Sequence, residues 1–315
     1  MKVVFSSSLF PRVSRMLVLS AFSLAVLLEA MPAAPLAYDS FATTADGAGG
    51  TYSATMDGNG KIYGQDPTTA NAGFSGAWGN STPLTTGGLL VETTGLTHAL
   101  LQGTAAAGDV YAIKNTLGRT VTRAFDGTVD AAVANQEALS GEIWFSGLVA
   151  ATGSSSGGAV FGLSADTRHD TAPSTGLQFG IVGGRIRLYN GATELGTNFS
   201  ITAGLTYLVA VRIDLTAGGT ENDSVTLEIY APDATADSPT ATISGSGLTL
   251  APADLEYLIL RQNNTGAYAN TTTTPRFDEF RLGLSRGDVM VVPEPSSLVL
   301  LGIGLAGFWV GRRRR

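Results

Sequence analysis

Apolar and polar residues alternate along many short stretches of the chain's middle part, and this pattern predicts β-strands. In 185–189 (RIRLY), two apolar residues lie on one face of an extended chain and two arginines on the other. In 224–230 (SVTLEIY), valine, leucine and isoleucine alternate with threonine and glutamate. Such alternation with many β-branched residues is typical of half-buried strands. The predicted strands are 89–93, 119–124, 142–149, 159–163, 177–182, 185–189, 207–213, 224–230, 256–261 and 276–282.

Turn residues separate these stretches, and helical patterns are few. Gly183-Gly184 indicates a two-residue hairpin, and Asn190-Gly191 indicates a second. The best helix candidate is 130–139 (DAAVANQEAL), and 252–255 has the composition of a short turn. Strands spaced by about ten residues without intervening helices favour two packed antiparallel sheets. The sequence therefore predicts an all-β antiparallel sandwich over residues 38–288.

The N-terminal segment has the pattern of an export signal. Its basic residues are Lys2, Arg12 and Arg15. An apolar run follows at 16–28 (MLVLSAFSLAVLL), and small residues and prolines come next. This order of charge, apolar run and small residues is that of a secretory signal peptide, which we assign to residues 1–37. The alternative is a retained N-terminal membrane helix, although the run is shorter than the roughly 20 residues of a span.

The predicted cleavage point follows Ala37 and would make Tyr38 the first residue of the exported chain. Pro35 at the third position before that bond fits a small-residue site poorly. The alternative cleavage points follow Ala30, Ala33 and Ala34.

The C-terminal segment, 289–315, has three parts. The first is the tripeptide Pro293, Glu294 and Pro295, whose prolines favour an extended backbone. The second is an apolar stretch at 298–310, predicted as a short membrane helix. The third is a basic cluster that resists translocation and acts as a membrane stop. It consists of Arg312, Arg313, Arg314 and Arg315.

From Val292 to Arg315 the chain resembles the PEP-CTERM family of bacterial sorting signals. The resemblance implies recognition and processing by an exosortase, an integral membrane enzyme, at Pro293 to Pro295. It also implies display at the cell surface or in an exopolysaccharide matrix. The alternative is an ordinary C-terminal membrane anchor.

The composition of the chain excludes several classes of function. The net charge is −7, and of 26 acidic residues only Glu29 and Glu294 lie in the terminal segments, so the middle is acidic and nucleic acid is an unsuitable partner. The chain has no cysteine and only two histidines, His98 and His169. Cysteine-based disulfides, metal sites and nucleophiles are therefore excluded.

The middle region is similar to the concanavalin A-like (laminin G-like) jelly-roll superfamily. The resemblance rests on 38–41 (YDSF), 74–79 (FSGAWG), 184–188, 207–214, 224–230 and 277–282 (FDEFRL). Functions in that superfamily range from sugar binding to glycan hydrolysis and scaffolding, so the fold alone does not choose between them.

A hydrolase of this fold would need paired carboxylates on one strand. Asp278 and Glu279 are adjacent, so on a regular strand they point to opposite faces, and we assign them to the solvent side. No Glu-x-Asp-x-Glu motif occurs. We therefore expect no enzymatic activity. A glycan hydrolase with unrecognised carboxylates is the alternative.

One acidic cluster, Asp214, Glu221 and Asp223, lies between two strong strands. Oxygen-rich turns bind calcium, which would make the domain a calcium-dependent adhesion module. Asp and Asn also favour turn backbones without any metal, and that interpretation is preferred. No cofactor is expected.

Exposed aromatic rings are the usual stacking surfaces for sugars. Trp78, in a glycine-rich stretch, is the candidate for such a ligand contact, and the alternative places it as a plug at the sandwich end. Tyr63, Tyr189 and Tyr268 are further candidates, whereas Trp144 is predicted in the core. We expect an exported, non-catalytic module that is structural or binds carbohydrate, with exopolysaccharide as a partner.

Overall fold

The fold was examined in a computed structural model of the chain. It describes residues 35–41, 52, 62, 65, 73–79, 89–92, 95–101, 109–112, 119–152, 158–165, 176–218, 222–263 and 275–290. The chain divides into two units. One is Ala34–Val292, which contains all described residues, and the other comprises Met1–Ala33 and Pro293–Arg315. Residues 1–34 of the predicted signal peptide 1–37 lie outside the described residues, and so do the sorting residues 291–315.

Eight strands form the first antiparallel sheet. Its strands are β1 (Ala37–Asp39), β3 (Leu89–Glu92), β4 (Asp109–Ala112), β6 (Glu142–Ala151), β11 (Thr206–Asp214), β12 (Asp223–Tyr230), β13 (Ala241–Leu248) and β15 (Pro275–Gly283). The order across the sheet is β13-β12-β11-β6-β15-β4-β3, and β1 also pairs with β15.

Seven strands form the second antiparallel sheet. Its strands are β2 (Phe74–Gly79), β5 (Arg119–Phe125), β7 (Gly158–Ser164), β8 (Leu177–Val182), β9 (Arg185–Asn190), β10 (Thr193–Ser200) and β14 (Tyr257–Asn263). The order is β10-β9-β8-β7-β14-β5-β2. A helix α1 (Gly127–Ala138), a 3₁₀ turn (Pro252–Leu255) and a helix α2 (Arg286–Val289) complete the described elements.

The inner faces of the two sheets meet in one apolar core. Phe161 of the second sheet stacks on Phe277 of the first at 5.6 Å between ring centroids, and Phe145 lies 5.8 Å from Phe179. All four rings are fully buried. Alternation explains this packing, because every second residue of each strand points inward. The molecule is therefore a β-sandwich, as predicted.

The outer face of the eight-stranded sheet carries a second apolar layer. Trp144, Leu148 and Tyr230 pack there against Val289 and Met290 at the end of the described chain. The Ser146 hydroxyl donates to the Val289 carbonyl at 2.7 Å, which fastens α2 to the sheet. The folded domain therefore continues through Met290. Among the described helices, none has the length and apolarity needed to cross a membrane.

Most of the predicted elements are confirmed with small shifts of their ends. All ten predicted strands are present, and β8 has the predicted bounds. The Gly183-Gly184 hairpin joins β8 to β9, and the second hairpin turns at Gly191-Ala192 after Asn190. The 3₁₀ turn lies at the predicted 252–255, and Trp144 is buried as predicted. Five strands were not predicted: β1, β2, β4, β10 and β13.

Candidate functional site

The outer face of the seven-stranded sheet is polar in its centre, and we call its two central rows the polar face. Strand pairing aligns Tyr189, Gln178, Gly162, Ile259 and Thr122 in one row. The neighbouring row is Arg187, Gly180, Val160, Arg261 and Thr120. These residues alternate with those of the core, so their side chains point away from it. The polar groups come from β5, β8, β9 and β14, where they alternate with core residues, whereas β7 contributes only Gly162 and Val160 to the two rows.

Two glycines leave the middle of the polar face without side chains. A Cβ atom on Gly162 would lie 2.2 Å from the Leu177 carbonyl oxygen, and one on Gly180 would lie 2.1 Å from that of Ala159. Because both contacts are with backbone, no side chain fits at either position. The adjacent β7 and β8 therefore form a floor between Arg187 and Tyr189 on one side and Arg261 on the other.

Two buried side chains of the polar face have unused hydrogen-bonding atoms. The Gln178 Nε2 and the Thr120 Oγ1 have no hydrogen-bond partner within the described ranges, although the two residues are only 1% and 3% exposed. Buried polar groups are normally paired, so these two atoms are hydrogen-bonding groups that the described part of the structure leaves unused on a buried sheet face. Among the described residues, the central strands β5, β7, β8, β9 and β14 place no carboxylate on this face.

The charge of the polar face is positive. Burial lowers the pKa of Arg261 from its ordinary value, and the interaction with Tyr189 opposes that change. Arginine stays protonated at neutral pH, so Arg261 is a half-buried cation. Arg187 forms an ion pair with Glu194 at the rim. A half-buried guanidinium gains most from a planar anionic partner such as a carboxylate.

The expectation that Trp78 is an exposed stacking platform is wrong. Trp78 lies in β2, is 1% exposed, and packs 6.0 Å from the Phe41 ring. Its indole Nε1 donates to the Tyr52 hydroxyl at 2.8 Å. The stretch 74–79 pairs with β5 as a strand, which turns the indole inward. Of the tyrosine candidates, Tyr189 lies on the polar face, and Tyr63 and Tyr268 lie outside the described residues.

Trp78 belongs to a buried polar network around Asp39. The Asp39 carboxylate accepts hydrogen bonds from the Tyr52 hydroxyl at 2.5 Å and from the Phe41 amide at 3.0 Å. It also forms an ion pair with Arg123 at 2.9 Å. Burial raises the pKa of Asp39, and the Arg123 charge and these hydrogen bonds oppose the rise. The network joins β1, β2 and β5 and has a structural role.

Of the three candidate calcium ligands, the two that the structure describes, Asp214 and Asp223, have protein partners. The two Asp223 oxygens accept backbone N–H bonds from Thr216 and Leu250, both at 2.7 Å. Asp214 instead pairs with Arg212, and Glu221 lies outside the described residues. In the described ranges no group of three or more potential metal ligands occurs. Asp223 therefore fixes the ends of two loops, in agreement with the turn interpretation.

Asp278 and Glu279 are not the solvent-facing residues we expected. Both are 1% exposed, because β15 has an irregular register between Asp278 and Arg281. Glu279 adopts φ +56°, and the Asp278 carboxylate accepts the Leu96 amide hydrogen at 2.7 Å. This bulge also breaks the alternation from which the two side chains were placed on opposite faces.

The sorting residues Pro293, Glu294 and Pro295 and the basic cluster 312–315 lie outside the described residues, which end at Met290. Residues 291–315 match the PEP-CTERM protein-sorting motif. The chain ends in a PEP-CTERM sorting motif. The motif is an exosortase substrate signal and indicates an exported protein that is sorted to the cell envelope. No curated protein matches the sequence.

Several solved structures resemble the sandwich at low identity. The PL-14 alginate lyase of Aplysia kurodai aligns over 57% of this chain and 84% of its own, with 10% identity and a TM-score of 0.40. An endo-β-1,4-glucuronan lyase of Trichoderma reesei aligns over 65% and 90%, with 10% identity and a TM-score of 0.37. The botulinum neurotoxin serotype D/C binding domain aligns over 63% and 44%, with 12% identity and a TM-score of 0.38. The chain thus spans less than half of that binding domain.

Proposed function

We propose that this protein is an exported bacterial surface or matrix protein, sorted by exosortase, whose sandwich binds saccharide without catalysis. The match of residues 291–315 to the sorting motif supports the export and sorting part. The polar face supports the binding part. The proposal needs no metal or other cofactor.

The three parts of the tail suit successive steps of sorting. The apolar stretch 298–310 partitions into the bilayer, and the arginines at 312–315 stay on the cytoplasmic side. The tripeptide at 293–295 is then held just outside the membrane, in an extended form that a processing enzyme can bind. Exosortase acts at this tripeptide and separates the sandwich from the membrane segment.

The polar face suits a saccharide by its chemistry. Gly162 and Gly180 carry no side chain there, and the half-buried Tyr189 adds an aromatic ring beside them. Gln178 and Thr120 hold buried, unpaired hydrogen-bonding atoms, which pair with hydroxyl groups once this face is opened to a ligand. Arg261 and Arg187 add two guanidinium groups at the sides. This combination favours an acidic polysaccharide over a neutral one.

The same chemistry gives the binding experiment. The exported protein is titrated with alginate and with a neutral glucan. Arg261→Gln removes the half-buried cation, and Arg212→Gln is the matched control on the opposite sheet, where Arg212 pairs with Glu142 and Asp214. We expect alginate to bind more tightly than glucan, and Arg261→Gln to weaken alginate binding about 10-fold or more, as for loss of a hydrogen bond to a charged group.

Two results would contradict this proposal. If the wild type and Arg261→Gln bind alginate with equal affinity, the polar face is not the binding surface. Progressive shortening of the polymer during the titration would show a glycan-active enzyme, which is the alternative function of this fold.

A further inference from the structure

The start of the folded domain constrains where the export signal is removed. We infer that signal peptidase cuts this chain before Leu36, and not after Ala37 as the sequence suggested. The inference rests on the proposed export of the protein and concerns only the position of the cut. Its observations come from residues on both sides of the Ala37–Tyr38 bond.

Leu36 and Ala37 are built into the sandwich. The Leu36 amide donates to the Leu282 carbonyl at 2.7 Å, and Ala37 is the register partner of Leu282 in the β1–β15 pair. The described part of β1 is only three residues long, Ala37–Asp39. A cut after Ala37 removes the first of these three residues and the hydrogen bond that precedes it.

The same two residues fill space in the core. Ala37 is fully buried, and the Leu36 side chain packs against the main apolar cluster. The backbone around Gly73 is in close contact with them, since a Cβ on Gly73 would lie 2.2 Å from the Leu36 oxygen and 2.8 Å from the Ala37 Cα. A cut after Ala37 would leave a cavity beside β2, and apolar cavities destabilise a core.

The polar network shows why β1 must stay in place. Asp39 is the third residue of β1, and it carries the ion pair with Arg123 and the hydrogen bond from Tyr52. If Tyr38 were the first residue, one residue would separate a free, charged terminus from this buried carboxylate. Fraying of β1 would then take the Asp39 carboxylate away from the buried Arg123 guanidinium, and breaking a buried ion pair is costly.

The other three candidate cleavage points all preserve β1 and its contacts. Bonds after Ala30, Ala33 and Ala34 leave Leu36 and Ala37 on the exported chain. Each has the small residue that signal peptidase requires directly before the cut. The bond after Ala33 also avoids the tertiary amide of Pro35, which follows Ala34.

The test uses the full-length chain in an exporting host and identifies the N-terminal peptide by mass spectrometry. In one variant Ala30, Ala33 and Ala34 are all changed to Gln. The matched variant is Ala37→Gln, with the same change at the other bond. We expect the wild type and Ala37→Gln to begin between Met31 and Leu36, and the triple variant to remain uncleaved. Signal removal is read on the denatured pool, so poor folding of Ala37→Gln does not affect the result.

An exported wild-type chain that begins at Tyr38 would overturn the inference and leave the proposed export intact. A triple variant that is cleaved normally would overturn it equally. A wild-type chain that begins at Met1 and is found only in the cytoplasmic fraction would overturn both the inference and the export proposal.

Discussion

Asp39 is the residue on which the N-terminal part of the fold depends most. Its carboxylate is buried and accepts from a tyrosine hydroxyl and a backbone amide while it pairs with Arg123. A buried ion pair contributes little net stability, but removing one partner leaves an uncompensated charge. The sequence did not single out this residue, because its two side-chain partners, Tyr52 and Arg123, lie 13 and 84 positions away along the chain.

Asp39→Asn removes the negative charge and keeps the shape. We expect the free energy of unfolding to fall by about 3 kcal/mol, because Arg123 then stays buried without its anion. Urea unfolding measures the change. Asp233→Asn, at an exposed loop position, is the control and should change stability by less than about 0.5 kcal/mol. A similar loss in both variants would contradict the structural role of the network.

His98 gives the stability a predictable dependence on pH. Its Nδ1 accepts the Leu100 amide hydrogen, so Nε2 carries the proton that is donated to the Ala231 carbonyl at 3.1 Å. Burial lowers the pKa of His98 from its usual 6.5, against the opposing effect of its backbone hydrogen bonds. The folded state therefore binds fewer protons than the unfolded state just below pH 6.5, and this contribution to stability is lost as the pH falls.

We expect His98→Gln to remove part of the loss of stability as the pH falls below 6.5, where one such group contributes at most about 1.4 kcal/mol per pH unit. His169→Gln is the matched control, since these are the two histidines of the chain. Urea unfolding across this pH range compares the slopes. The prediction fails if His98→Gln keeps the wild-type slope.

Asp223 leads to a prediction about calcium. Both of its oxygens already accept backbone N–H bonds, and its neighbour Asp214 pairs with Arg212. We therefore expect the melting temperature to be the same in millimolar calcium and in EDTA, because a ligand stabilises a fold only if it binds the folded state. A calcium-dependent rise that Asp223→Asn abolishes would restore the adhesion-module interpretation.

Most helices and strands can be predicted from local sequence patterns, such as alternating apolar residues, turn residues and helix caps. Helix α1 begins at Gly127, and Asp126 is its N-cap, whose Oδ1 accepts from the Thr128 and Val129 amides. The prediction started three residues later, at Asp130, because the cap was not recognised. The strands missed were peripheral ones, such as β10 and β13 at the sheet edges, whose Gly, Ser and Thr residues hide the alternation.

Asp126→Ala should lower the free energy of unfolding by about 1 kcal/mol, because two amide donors of the first helical turn lose their acceptor. Thermal and urea unfolding both report this change. Asp126→Ser is the matched variant, and its hydroxyl should retain most of the stability. If the alanine variant is as stable as the serine variant, the cap does not hold this helix.

For the whole molecule, the sequence predicted two sheets and a sorting tail but not the polar face that we propose as the binding surface. Gln178 and Arg261 are far apart in sequence and inconspicuous, and only the strand order brings their rows together. Trp78 is the opposite case, a residue predicted at a binding surface that lies in the core. The glycines around it indicated a loop, but this stretch is β2, and its pairing with β5 turns the ring inward. The strand order determines both the position of the polar face and the burial of Trp78, and local sequence patterns do not reveal the strand order.

Sorting at the C-terminus is the central claim, and the intact mass of the protein from its native host tests it most directly. Membrane and released fractions are measured separately. The account predicts a species that ends near Pro293–Pro295 and lacks the apolar stretch and the four terminal arginines. A protein that keeps Arg315 and is found only in the membrane would contradict it and would make the tail an ordinary anchor.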